Sequence, residues 1–177
     1  MATLYLMVGL PGAGKTTRAV ALAAEHRALR LTPDVWMISL FGASDPDGRR
    51  DVLEGRLISV ALQALRLRTS VVLDFGLWGR DERSALRALA ASAGASAVLV
   101  YLPVDVETQH ARIGSRWHEG PRSTFPMTPA EIEASRAVFE APTAAELAAG
   151  PVPPAPVGSG GWATWAAERW PSLDWIG

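Results

Sequence analysis

The run TLYLMV (residues 3–8) is apolar almost throughout and stops at Gly9, the pattern of a central parallel strand covered on both faces. A glycine-rich loop follows, then KTTRAVALAAEHRAL (15–29), which is alanine-rich, free of breakers and predicts a helix. ALRL (28–31) reads as a short second strand. TPDVWMISLF (32–41) opens a further helix: Thr32 is placed to cap it, Pro33 suits its first turn, and Asp34 lies near the positive end of its dipole. GASDPDG (42–48) is loop by composition, and RRDVLEGRLISVALQALRLR (49–68) is a long amphipathic helix. SVVLDFG (70–76) reads as a buried strand, RDERSALRALAASAG (80–94) as a helix ended by Gly94, and ASAVLVYLPV (95–104) as the next strand. DVETQHARIGSRWHEG (105–120) is helical at least to Arg112, with Gly114 a place to bend. PRSTFPMTP (121–129) is extended and proline-broken, and a helix capped by Thr128 with Pro129 at its first position follows.

Strands that alternate with helices argue a parallel sheet with right-handed crossovers, an α/β fold with four to five strands. The texture changes near Ala141. GPVPPAPVGSGG (150–161) reads as a linker, and WATWAAERWPSLDWIG (162–177) carries four tryptophans. The organisation expected is a domain over 1–140, a Pro/Gly-rich linker over 141–161 and a Trp-rich tail over 162–177. Trp162, Trp165, Trp170 and Trp175 suggest that this tail docks on the domain, with a partner site or acceptor flap as the sharper reading.

Composition narrows the function classes. There is no cysteine, hence no thiol redox chemistry and no Cys-ligated zinc. The N-terminus has no basic region ahead of its apolar run, and no apolar run is long enough to span a bilayer, so a cytoplasmic protein is expected. The net charge of −1, with no Lys/Arg-rich block, disfavours a nucleic-acid partner. His26, His110 and His118 show no metal-binding spacing.

Of the 17 Lys and Arg residues only Lys15 is lysine, and its place is telling. GLPGAGKTT (9–17) matches G-x-x-x-x-G-K-[ST] in full, between a strand and a helix. Gly9, Gly12 and Gly14 let the chain turn and bring the amides of Gly12 to Thr17, Ala13 among them, against phosphate. The helix beginning near Lys15 points its positive end at the same anion. Lys15 reaches the β/γ-phosphates as a compact ammonium, and the Thr16 hydroxyl is a ligand for Mg²⁺. The single lysine also excludes the N-K-x-D of guanine readers and the strand lysine of protein kinases, so DFG (74–76) is a coincidence. Asp74 is followed by Phe75 rather than by the glutamate of motor ATPases, which leans towards phosphoryl transfer to a bound acceptor.

With these motifs the chain, from about Thr3 to Phe139, resembles small P-loop kinases: 5′-hydroxyl polynucleotide kinases, zeta toxins, chloramphenicol phosphotransferases and AAA-type ATP-binding proteins of that group. The resemblance implies a P-loop NTPase three-layer sandwich with a helical lid, here about 105–126, and ATP with Mg²⁺ as cofactors. It implies Asp34 as the base that accepts the acceptor hydroxyl's proton, although the helix dipole alone also favours an acid there. The polynucleotide kinases carry an arginine three residues on, where this chain has Met37, which counts against a polymeric or phosphorylated acceptor. Arg112 and Arg116, at i and i+4, match the lid arginines that stabilise the transferred phosphoryl, with Arg122 a weaker candidate. Asp74 matches an acid used for the metal's water or the acceptor, and Thr32 and Trp36 stand where an acceptor would be held. Trp78, after the third strand, is a further wall candidate. The function expected is transfer of the γ-phosphoryl of Mg-ATP to a hydroxyl of a small molecule. The alternatives are a polynucleotide 5′-kinase, a nucleotide-sugar kinase toxin, or an ATP-binding switch or scaffold with slow hydrolysis.

Overall fold

A computed structural model describes residues 1–119 and 127–174, with residues 116–119 described by their backbone alone. Four strands, β1 (Thr3–Val8), β2 (Leu29–Leu31), β3 (Val71–Gly76) and β4 (Ser96–Tyr101), form one parallel sheet in the order β2-β3-β1-β4. The α-helices among the described residues are α1 (Lys15–His26), α2 (Pro33–Phe41), α3 (Arg49–Arg66), α4 (Arg80–Ser92), α5 (Val106–Glu119), α6 (Pro129–Val138), α7 (Ala144–Leu147) and α8 (Trp162–Arg169). No described helix is long and apolar enough to cross a membrane.

The sheet is covered on both faces, and the pleat decides which side chain goes where. Leu4, Leu6 and Val8 of β1 join Val71 and Leu73 of β3 in a core shared with α3, α4 and α8. Met7 and Val72 point the other way, against Ala19 and Leu22 of α1. The β1–β3 pairing is regular from Leu4↔Val71 to Leu6↔Leu73 and shifts before Val8↔Gly76, just where the chain leaves the sheet for the glycine-rich loop. Gly9 closes that corner by donating to the Gly76 carbonyl at 3.2 Å.

Local signals set several helix ends. Thr128 and Glu131 form a reciprocal capping box at the start of α6, with Pro129 at its first position. Thr32 occupies the N-cap of α2 in extended geometry, yet its side chain makes no capping bond. α5 runs unbroken through Gly114 to Glu119. β4 is shorter than the apolar run ASAVLVYLPV because Pro103 has no N–H for the ladder.

The stretch beyond residue 140 is more structured than its composition suggests. Thr143 and Glu146 build a second capping box on α7, inside the expected linker, while residues 150–161 form no helix or strand. The Glu146 carboxylate pairs with Arg83 Nε at 2.9 Å, and both side chains are buried. Arg83 Nη1 also donates to the carbonyls of Leu77, Trp78 and Glu140, so this one guanidinium ties the chain after β3 to the C-terminal segment. α8 then lies on α4. Trp162, Trp165 and Trp170 stack edge-on in series at 5.8 and 6.0 Å, and Trp170 is fully buried. Burying one indole removes roughly 200 Å² from water, a gross gain of about 5 kcal/mol. Arg169 fastens α8 between Asp51 of α3 and Glu82 of α4 at 2.7 and 2.8 Å. Trp175 lies outside the described residues.

Candidate nucleotide and acceptor site

Because all four strands run in parallel, the loops leaving β1, β2 and β3 share one edge of the sheet, where ligands bind in folds of this kind. The loop after β1 is shaped by its glycines. A Cβ on Gly9 would stand 2.7 Å from the Leu102 carbonyl oxygen. Gly12 has φ +80° and Gly14 φ +90°, the left-handed region that glycine enters without penalty. Gly14 is the N-cap of α1, with no side-chain cap and no acid in the first turn. The first amides of a helix have no partner four residues back, so Thr16 and Thr17 present N–H groups at the positive end of the dipole. Thr16 and Thr17 are exposed. Lys15 Nζ lies across the loop and donates to the Leu10 carbonyl at 2.8 Å. Ala13 differs from its neighbours: its amide is bonded to the Leu10 carbonyl at 3.2 Å, so its donor is turned inward.

Such a cradle fits a nucleotide's polyphosphate: left-handed glycines, an uncapped helix start and one ammonium. Among the described residues no group of three or more His, Asp or Glu is arranged around a cation position.

α5 contributes Arg112, whose Nη1 donates to the Gly12 carbonyl at 3.3 Å and lies 3.9 Å from the Cβ position of Gly14. Beside it, a cleft of about 480 Å³ is lined by Pro103, Val104, Asp105, Thr108 and Arg112. Asp105 caps α5 through Thr108, and those two bonds hold its carboxyl below the usual range. Gln109, fully buried beneath Gly12, has no hydrogen-bond partner among the described residues for either amide atom. Sequence reasoning passed over it; only its place under the loop makes it notable, since buried amides are nearly always paired. The Arg116 and His118 side chains and Arg122 lie outside the described residues.

On the other side of the loop, Gly76 brings two groups together. A Cβ there would lie 3.3 Å from Trp78 Nε1 and 3.8 Å from Lys15 Cε. Asp74 sits on the same sheet face as Val72, towards α1, and is almost wholly buried. Its Oδ2 accepts from Arg30 Nη2 at 2.8 Å and Nε at 3.2 Å. Arg30, the one charged residue of β2, therefore shares a carboxylate that the family resemblance assigned to the metal's water or the acceptor.

Asp34 stands in the first turn of α2 and pairs with Arg50 of α3 at 2.9 Å, its side chain about half exposed. Met37, one turn on, is fully buried, so that position faces the core and the guanidinium beside Asp34 comes from α3 instead. Arg50 also donates Nε to Glu54 at 3.0 Å. Burial alone would lower its affinity for the proton, but the Asp34 and Glu54 carboxylates outweigh that and raise it. Burial pushes the Glu54 carboxyl up, against Arg50 and the Trp170 N–H. Thr32 is buried at the mouth of β2, whereas Trp36 is 47% exposed on the outer side of α2 and forms no part of the core. Of the residues singled out from sequence, Gly9 to Thr17 and Arg112 come together directly. Thr32 and Asp34 stand at the neighbouring strand end, and Trp36 lies further along α2, exposed.

Known proteins place this geometry. Nothing matches among curated proteins. Similar solved structures include Kti12 of Chaetomium thermophilum in complex with ADP-AlF3, 22% identical over 79% of this chain and 81% of that one, with a TM-score of 0.63. The APS kinase CysC of Mycobacterium tuberculosis, in complex with AMPPNP and APS, is 17% identical over 80% and 83%, with a TM-score of 0.58. A sugar kinase from a Janibacter species is 18% identical over 82% of each chain, with a TM-score of 0.55. At such identities the likeness speaks for the fold, that of P-loop kinases. The AAA domain family AAA_33 matches residues 4–142, from β1 to just beyond α6, and the chain belongs to that family.

Proposed function

We propose that the protein is an ATP-dependent phosphotransferase that moves the γ-phosphoryl group to a hydroxyl of a small-molecule acceptor. The observation that carries this reading is the uncapped start of α1, with Lys15 and Arg112 both folded onto the loop before it. The amides of Gly14 to Thr17 and Lys15 would hold the triphosphate, and Thr16 would hold Mg²⁺. The cofactor supplies the group that is transferred and neutralises its charge. Asp34 orients the acceptor hydroxyl and takes its proton, with Arg50 fixing the carboxylate. Arg112, joined by Arg116, stabilises negative charge as it spreads over the phosphoryl oxygens. Trp36 and Thr32 would flank the acceptor side, and Asp74, held by Arg30, would close its floor. Support also comes from the fold: the M. tuberculosis APS kinase, built alike, holds a nucleotide analogue and its APS together.

Calorimetry with Mg²⁺ and ATP is the first test; indifference to every nucleoside triphosphate ends the reading. ADP release stimulated by members of a panel of hydroxylated metabolites and antibiotics then identifies the acceptor. Asp34→Asn should bind ATP as before and lose transfer; normal transfer removes Asp34 as the base.

A second reading is a nucleotide-dependent switch with slow hydrolysis. It is favoured by the pairing of both Asp34 and Asp74 with arginines, which leaves each carboxylate engaged. ATP and ADP binding with no acceptor that stimulates turnover would select it.

A further inference from the structure

The Trp-rich C-terminal segment lies beyond residue 142, where the family match ends, and the proposed chemistry makes no use of it. Its most buried side chain nevertheless leads to the site. Trp170 Nε1 donates to Glu54 Oε2 at 3.2 Å. Glu54 Oε1 accepts from Arg50 Nε at 3.0 Å, and Arg50 Nη1 donates to Asp34 Oδ1 at 2.9 Å. We propose that Trp170 is a positioning residue for the Asp34 carboxylate, acting through Glu54 and Arg50, so that docking of the C-terminal segment sets the geometry of the acceptor side. The catalytic meaning of this relay rests on the reading of Asp34 as the base.

The geometry of a guanidinium makes the relay stiff. Its nitrogens lie in one plane, so a carboxylate gripping the Nε edge also fixes the direction of Nη1. Glu54 is in turn held by the indole N–H on its other oxygen. Packing alone does not require that donor: a phenyl ring would fill much of the space beside Trp165 and under Arg169, which sits 5.5 Å from the Trp170 ring. A buried N–H is retained where an acceptor needs it, because an unpaired carboxylate oxygen in that setting is costly. The charged groups around Glu54 are Arg50 on its own helix, Arg169 of the C-terminal segment and Glu82 of α4. Asp34 of α2 and Asp51 of α3 bind these same arginines. Glu82 opposes the Glu54 charge, which makes the Trp170 donor more consequential.

The test uses the full chain with ¹³C-labelled carboxyl groups, followed by NMR as pH is varied. In the wild type the Asp34 resonance should show a step at the Glu54 midpoint. Trp170→Phe should move the Glu54 midpoint upward and carry the Asp34 step with it. In turnover assays Trp170→Phe should lower kcat about tenfold, short of the roughly hundredfold that a ~1 Å misplacement costs, with KM for ATP within about twofold. Glu54→Gln and the double variant should share one kcat, because both cut the same chain of bonds. An Asp34 resonance blind to Glu54 titration in the wild type overturns the proposal without any variant needing to fold. Effects of the two substitutions that multiply also overturn it. If Asp34→Asn transfers normally while the NMR coupling persists, the base assignment fails and the relay stands.

Discussion

Glu146→Gln isolates the ion pair that anchors the C-terminal segment. The substitution keeps the shape of the side chain and removes its charge, leaving the fully buried Arg83 guanidinium without a counter-ion. Stranding one member of a buried pair costs about 3–5 kcal/mol. The lower end is expected here, since Arg83 still donates to the carbonyls of Leu77, Trp78 and Glu140. For a chain of this length each kcal/mol moves Tm by about 2–4 °C, so a fall of roughly 6–12 °C should be seen. Arg83→Met strands the opposite charge, although Glu146 keeps the Thr143 amide and hydroxyl at 3.0 and 3.2 Å. The double variant strands neither charge, so its cost should fall short of the sum of the singles by about 2 kcal/mol. Urea unfolding of all four proteins at neutral pH measures the cycle. Repeating it in acid adds a sign. Burial alone would raise the Glu146 carboxyl, but the bond to Arg83 and those to Thr143 outweigh it and hold the group below its usual value of 4.5. Its contribution is therefore present above that value and disappears as pH falls through the lowered one, and the deficit of Glu146→Gln should close over the same range. A cost under about 1 kcal/mol, or single effects that simply add, would refute the claim that this pair is desolvated and holds the segment.

Two further outcomes follow from the site and the tail. Arg112→Ala should lower turnover far more than ATP affinity, towards the 10³–10⁵ that an arginine at a transferred phosphoryl supplies; equal turnover in stopped-flow assays removes Arg112 from the mechanism. Gly55→Ala improves helix propensity in α3 by about 1 kcal/mol, yet its Cβ would stand 2.6 Å from Ser172 Oγ and 2.9 Å from the Leu173 amide. The tail should lift, seen as faster proteolysis after residue 160 and a lower Tm, whereas a stabler variant with an equally protected tail would contradict the docking.

Local physics made the nucleotide half of this protein legible in the sequence. A phosphate loop needs neighbours in the chain only: a strand to end, glycines to turn and a helix to begin, and GLPGAGKTT supplies all three within nine positions. Helix starts such as Thr128–Glu131 are equally local, spanning four residues. Apolar runs likewise placed β1 and β3, because burial on both faces writes itself into consecutive residues, whereas β2 and β4 are only partly buried. What the sequence left open was every partner reached across the fold. Arg30 meets Asp74 over 44 positions, Arg83 meets Glu146 over 63 and Trp170 meets Glu54 over 116. Nothing in the composition of residues 141–161 marks Glu146 as buried, and Met37 hid the fact that Asp34 finds its arginine on another helix. Sequence determined which residues can grip an anion. Tertiary structure decided which charges neutralise one another, because a buried carboxylate is set by whatever guanidinium the packing brings to within 3 Å, and packing brings together segments that the chain keeps far apart.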